Sequence, residues 1–185
     1  MLSLGMQALV TLLPPPYYET VMEIWSVLEE RFACESDYVK PEPHFTWQYA
    51  DSYNQGSLSV LESLSANIAP IEVETDIVSS FSGDDEVFFV RIVPSKKLKE
   101  THRQLWNALH PYAQSPSLLY QPESWVPHIT LSQQGDTARH STAVKEFLNT
   151  IDVQWKFTID RMTMLSLSDQ NLWEEVGEFR LGKRQ

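Results

Sequence analysis

Two short segments carry residues able to move protons and grip an anion: His44-Phe45-Thr46 and His128-Ile129-Thr130. Each follows a proline, Pro43 or Pro127, and the histidines lie 128 − 44 = 84 residues apart. An imidazole holds either protonation state near neutral pH. A neutral one can take a proton from an attacking hydroxyl or water, while a charged one protonates a leaving oxygen. Threonine hydroxyls can donate hydrogen bonds to non-bridging oxygens on which charge develops. Together these are the parts needed to cleave a phosphodiester, with His44 and His128 as acid and base and Thr46 and Thr130 on the phosphate. The scheme requires no metal and no cofactor.

One Pro-His-apolar-Thr run means little alone, because short motifs recur by chance. Two copies in phase mean more. Side chains alternate faces along a strand, so His44 and Thr46 share one face and Phe45 and Trp47 the other. His128 and Thr130 likewise oppose Ile129 and Leu131. The apolar residues belong under helices, and the His/Thr pairs project from the opposite face. Gln48 and Ser132 continue the cleft-facing parity and are weaker candidates beside the site.

The surrounding elements also repeat. Gln7 to Pro14 resembles Val87 to Pro94, an apolar β-prone run ended by proline, at an offset of 87 − 7 = 80. A helix follows each run, with Val21, Ile24, Trp25, Leu28 and Phe32 in the first and Leu98, His102, Leu105 and Leu109 in the second. Ser95 is placed to cap the second. After each motif come a polar loop and another helix, around Leu58, Leu61, Leu64 and Ile68, then around Val144, Phe147, Leu148 and Ile151. Alternating strands close each unit: Ile71, Val73, Thr75 and Ile77 mark one, and Val153, Trp155, Phe157 and Ile159 the other, at an offset of 153 − 71 = 82.

This pattern predicts an α+β, bilobal, duplicated fold: two antiparallel sheets facing a central cleft, with helices on the outer faces. No linker interrupts it, so residues 1–185 read as one domain of two pseudo-symmetric lobes, about 1–85 and 86–185. A strand over Trp173 to Leu181 is expected to complete the second sheet. The strand over Glu86 to Val93 suits either lobe.

The remaining candidates read as structural. His102 lies in the apolar stripe of its helix, His110 precedes Pro111 where a helix ends, and His140 reads as solvent-facing. No two histidines have zinc-ligand spacing. Lys96, Lys97 and Lys99 read as a solvated helix face. Trp125 and Tyr120 precede the second motif and read as core or lid packing, with stacking on a base as the other use.

The net charge of −11 argues against a binder of long duplex nucleic acid, which neutralises many phosphates with Lys and Arg. A small nucleotide or a short RNA end in a pocket fits better. The single cysteine, Cys34, excludes an internal disulfide and suits a reducing cytoplasm. No apolar run is long enough to span a bilayer. Met1 to Leu13 lacks a basic start and a cleavage site and reads as a strand. A cytoplasmic monomer is expected.

The duplicated His-apolar-Thr motifs, and the strand–helix order around them, resemble the 2H phosphoesterase superfamily, whose members include 2′-5′ RNA ligase and cyclic nucleotide phosphodiesterases. The resemblance covers nearly the whole chain. It implies a bilobal α+β fold and metal-free chemistry on 2′,3′-cyclic phosphates, 2′-5′ linkages or related esters. By the same match His44 and His128 are the catalytic acid and base, and Thr46 and Thr130 the phosphate ligands. Hydrolysis of a cyclic phosphodiester is the expected activity. A non-catalytic module for a nucleotide or RNA end, and a 2′-5′ RNA ligase, are the alternatives. Many relatives carry a basic residue soon after the second motif, where this chain reads Leu131-Ser132-Gln133-Gln134-Gly135.

Overall fold

The computed structural model describes residues 6–32, 34, 42–82, 86–132 and 137–182, with the backbone alone at 137–141. In chain order the elements are β1 (Gln7–Leu12), α1 (Tyr17–Phe32), β2 (His44–Ala50), β3 (Ser52–Tyr53), α2 (Gly56–Ser65), β4 (Ile71–Phe81) and β5 (Val87–Ile92). They continue as α3 (Lys96–Leu109), β6 (Ala113–Gln114), β7 (His128–Thr130), α4 (Thr137–Leu148), β8 (Lys156–Ile159), β9 (Arg161–Leu167) and β10 (Trp173–Arg180). The helices form where the apolar stripes demand. Val21, Ile24 and Leu28 are the buried face of α1. The Ser95 hydroxyl accepts from the Leu98 amide at 3.2 Å, which fixes the start of α3.

Among the described residues eight strands form one antiparallel sheet in the order β10-β9-β1-β2-β7-β5-β4-β8, and β3 and β6 form a second, two-stranded one. The large sheet divides at β2 and β7, whose only ladder pair is Phe45 opposite Ile129. Four strands lie on each side of this junction. The strand order also bends round on itself. β8 pairs with β4 on one side, and Asp160 alone separates it from β9, which pairs with β1 on the other. The helices pack on one face over a core that includes Leu9, Phe45, Trp47, Val90, Ile129, Leu105 and Leu148. The opposite face lines the cleft and carries a small cluster of Ala8, Val10 and Leu165 with Leu12, Tyr49 and Trp173 against it.

Three sequence expectations change here. The last strand, β10, pairs with β9, which pairs with β1, so it belongs to the sheet of the first motif. β4, in turn, pairs with β5 beside the second motif. The two halves therefore exchange their final strands. Alternation identifies which face of a strand is apolar and is silent about which edge it joins. Ile77 does not share the face of Ile71 and Val73. The β4–β5 register shifts between Thr75 and Val78, and Ile77 emerges 48% exposed. Gln48 also leaves its predicted face. The β1–β2 register shifts at Leu9/Val10, so Trp47 has no partner on β1 and Gln48 pairs with Leu9. This bulge turns Gln48 under the helices, where it is 1% exposed.

Candidate active site

Phe45 and Ile129 are fully buried in the core, and this single contact sets the site. Their antiparallel pairing brings His44 beside Thr130 and Thr46 beside His128, all four on the face away from the helices. All four are half-buried. The structure thus brings together the four residues that the sequence singles out. Ser132 does not join them: it is 5% exposed, and its hydroxyl accepts from the Phe88 amide at 3.0 Å.

The two rings are oriented alike. His44 Nδ1 lies 2.8 Å from the Glu42 carbonyl, and His128 Nδ1 lies 2.7 Å from the Val126 carbonyl. A carbonyl oxygen only accepts, so each Nδ1 carries a hydrogen and donates it. In the neutral ring the lone pair then sits on Nε2. Neither Nε2 has a hydrogen bond to the described residues, so both remain available to a ligand. Burial lowers the pKa of His44; its bond to Glu42 works against that, and His128 adds a further lowering. Burial also lowers the pKa of His128, opposed by its bond to Val126. The rings are thus close enough for charge on one to disfavour charge on the other.

Their neighbours differ. On β1, Leu12 stands opposite His44 and Val10 opposite Thr46. On β5, Arg91 stands opposite His128 and Phe89 opposite Thr130. Phe89 and Phe81 stack with centroids 4.3 Å apart, and both meet His128 edge-on, at 5.1 and 5.0 Å. The Arg91 guanidinium forms a paired bridge to Asp76. Sequence reading missed Phe81, Phe89 and the Arg91–Asp76 pair. The parity of β5 alone pointed to Phe89 and Arg91, once β5 is known to neighbour β7.

Other side chains stay outside the cleft. His102 is 2% exposed, in the core, and burial pushes its pKa down to about 4. His110 follows the end of α3 and packs near Trp106 at 5.2 Å. The His140 side chain lies outside the described residues. Lys96, Lys97 and Lys99 are exposed on α3, with Lys96 3.8 Å from Glu100. Among the described residues no three His, Cys, Asp or Glu side chains gather as a metal site, and no helix is long and apolar enough to cross a membrane.

The sequence that builds this arrangement matches a known family. The profile of the 2′-5′ RNA ligase superfamily matches residues 13–171. The chain belongs to this superfamily. As a 2′-5′ RNA ligase superfamily protein, or 2H phosphoesterase, it is 25% identical over 155 residues to a Geobacillus thermodenitrificans protein named "Putative phosphoesterase", a match covering 82% of this chain and 85% of that one. Crystal structures of E. coli LigT share the superfamily fold. The LigT complex with phosphate aligns with a TM-score of 0.66 at 13% identity, covering 97% of this chain and 98% of that one. The complex with 3′-AMP aligns with a TM-score of 0.64 at 13% identity, covering 97% and 99%.

Proposed function

We propose that this protein is a metal-independent phosphoesterase that hydrolyses a cyclic phosphodiester, 2′,3′-cyclic or related, of a small nucleotide or an RNA end. Residues 1–185 work as one bilobal domain, and the substrate phosphorus lies between His44 and His128. One observation carries the reading: two imidazoles share a cleft, each with Nδ1–H tied to the carbonyl two residues before it and Nε2 left for substrate.

The chemistry follows from that tautomer. The neutral histidine accepts a proton on Nε2 from a water as the water oxygen bonds to phosphorus. The charged histidine donates its Nε2 proton to the ribose oxygen as the P–O bond to that oxygen breaks. The product is a phosphomonoester with a free hydroxyl, and the two rings have exchanged protonation states. Thr46 and Thr130, each beside the histidine of the other motif, donate hydrogen bonds to the non-bridging oxygens as their charge grows. Membership of the superfamily and similarity to a named phosphoesterase support a phosphoester substrate. The phosphate and 3′-AMP held by LigT support a nucleotide phosphate as the group bound. The net charge of −11 favours a small substrate over a duplex.

The test is hydrolysis of 2′,3′-cyclic nucleotides in EDTA by wild type, His44→Ala and His128→Ala. Wild type is expected to turn over, and each variant to lose on the order of 10²–10⁴ in rate. Full activity in either variant, or a wild type that needs added metal, overturns the mechanism.

A further inference from the structure

The two motifs touch through one ladder pair, and just beyond Thr46 the register shift between β1 and β2 leaves Trp47 without a partner on β1. The carbonyls of this stretch are taken up by side chains. The Trp125 indole Nε1–H donates to the Thr46 carbonyl at 3.0 Å, and His102 Nε2 lies 3.0 Å from the Trp47 carbonyl. The two rings lie flat on one another, with centroids 3.8 Å apart and planes 4° from parallel. Trp47 stacks on the same indole at 5.6 Å. A carbonyl at a buried bulge needs such a donor, because leaving a buried acceptor unmet forfeits the hydrogen bond it made with water in the unfolded chain.

The residue after Trp125 is Val126, whose carbonyl accepts the His128 Nδ1–H at 2.7 Å. One peptide therefore joins the group that holds the Thr46 backbone to the group that orients the His128 ring. Further bonds keep this segment in place. Trp125 N–H donates to the Gln121 carbonyl at 2.9 Å, Ser117 N–H to the Tyr49 carbonyl at 2.9 Å, and Ile92 N–H to the Pro127 carbonyl at 3.1 Å. The first motif has no described counterpart, since the residue 84 positions earlier, Pro41, lies outside the described residues and has no N–H of its own to give.

We infer that Trp125 is a positioning residue for the catalytic site: through its indole N–H and the Val126 carbonyl it sets Thr46 and His128 in register with one another. This rests on the proposed function for its effect on rate, but the coupling itself is a property of the fold. Trp125→Phe keeps a ring against His102 and removes the N–H. Replacing Trp125 with 3-benzothienylalanine keeps the shape of the indole and removes the same hydrogen.

In both variants kcat for a 2′,3′-cyclic nucleotide is expected to fall about ten-fold, in keeping with loss of one hydrogen bond of about 1.4 kcal/mol, while KM changes less than about two-fold. In a Thr46→Val background the same change is expected to cost clearly less than its full ten-fold, because one of the two groups it positions has lost its hydroxyl. Multiplying losses, or wild-type kcat in both variants, would overturn the inference. Nitrogen-15 NMR of the histidine rings separates this from failure of the proposed activity. With or without turnover, both variants are expected to change the tautomer ratio of His128 and leave that of His44 in place. An unchanged His128 ring refutes the positioning role even in an inert protein. A changed ring in an inert wild type upholds the coupling and rejects only the hydrolase reading.

Discussion

Phe45 and Ile129 face each other across β2 and β7 as the only ladder pair between those strands. They are also the central residues of the two His-apolar-Thr motifs. β2 and β7 run antiparallel through this pair, so each histidine stands beside the threonine of the other motif.

Truncating this contact should loosen the fold and the site together. Ile129→Ala is expected to cost about 2–5 kcal/mol and Ile129→Val about 0.5–1.5 kcal/mol, since Ile129 is fully buried. Urea denaturation measures both. The activity of the folded Ile129→Ala protein should also fall, because the junction positions all four polar side chains. Full activity at reduced stability would mean that the other contacts between the halves hold the cleft unaided.

The threonines should act on rate more than on stability. Thr46→Val and Thr130→Val keep the branched side chain, lose the hydroxyl, and leave half-buried positions. Each is expected to lower kcat by about 10²–10³, the usual effect of removing one donor to a developing negative oxygen. Thr→Ser at either position should restore most of the loss. Steady-state kinetics with a cyclic nucleotide check this, and a Val variant within about two-fold of wild type would remove that threonine from the mechanism.

Much of this site was legible in the sequence, and the failures have a common physical source. Period-two alternation placed His44, Thr46, His128 and Thr130 on one face because Phe45 and Ile129 must be buried. Alternation holds only while a ladder stays in register. It broke at the bulge beside Trp47, which sent Gln48 under the helices, and again between Thr75 and Val78, which exposed Ile77. Strand neighbours were hidden for another reason. Pairing of β9 with β1 joins residues far apart in the chain, and β4 turns straight back along β5; an apolar strand satisfies either edge equally well. Hence Arg91 beside His128, and the Trp125 bond to Thr46, could be seen only in three dimensions.

The pH dependence of activity follows from the two lowered histidines. Catalysis needs one proton shared by the pair, so kcat/KM should peak between two macroscopic pKa values that belong to the pair. Burial moves both histidines below 6.5, and their mutual repulsion moves the first of them further. The maximum is therefore expected below pH 6.5, with activity falling as pH rises through the upper value and as it drops below the lower one. A bound phosphate adds negative charge and favours the imidazolium, so the kcat profile should lie at higher pH than that of kcat/KM. A kcat/KM maximum at pH 8 or above would contradict the two-histidine scheme.

Stability should fall on acidification in a window set largely by His102. Its pKa is about 4 in the fold, against 6.5 when unfolded. Above pH 6.5 it is neutral in both states and contributes no pH dependence. As pH drops from 6.5 to 4 the unfolded chain takes up the proton first, so unfolding is favoured by up to about 1.4 kcal/mol per pH unit, and the effect levels off below pH 4. Over that span the total is on the order of 3 kcal/mol. His44 and His128 act in the same direction. Urea denaturation of wild type and His102→Gln at pH 7 and pH 4.5 checks the sign. The variant should be less stable at pH 7 and lose less on acidification, whereas an equal loss in both proteins would place the acid sensitivity elsewhere.

The Arg91–Asp76 bridge offers a way to tune His128 without touching it. Arg91 is the cross-strand partner of His128, and Asp76 neutralises it at the edge of the cleft. Both members are part-exposed and screened by solvent, so losing the bridge should change stability little. Asp76→Asn leaves a positive charge beside the ring, and a like charge disfavours the imidazolium. The kcat/KM maximum should therefore move to lower pH, by a few tenths of a unit at low salt, and return toward wild type at 1 M salt, where the screening length is about 3 Å. Arg91→Gln together with Asp76→Asn removes both charges and should restore the wild-type optimum. If Asp76→Asn shifts the optimum upward, or the double variant keeps the shift, then Arg91 does not act on His128 through its charge.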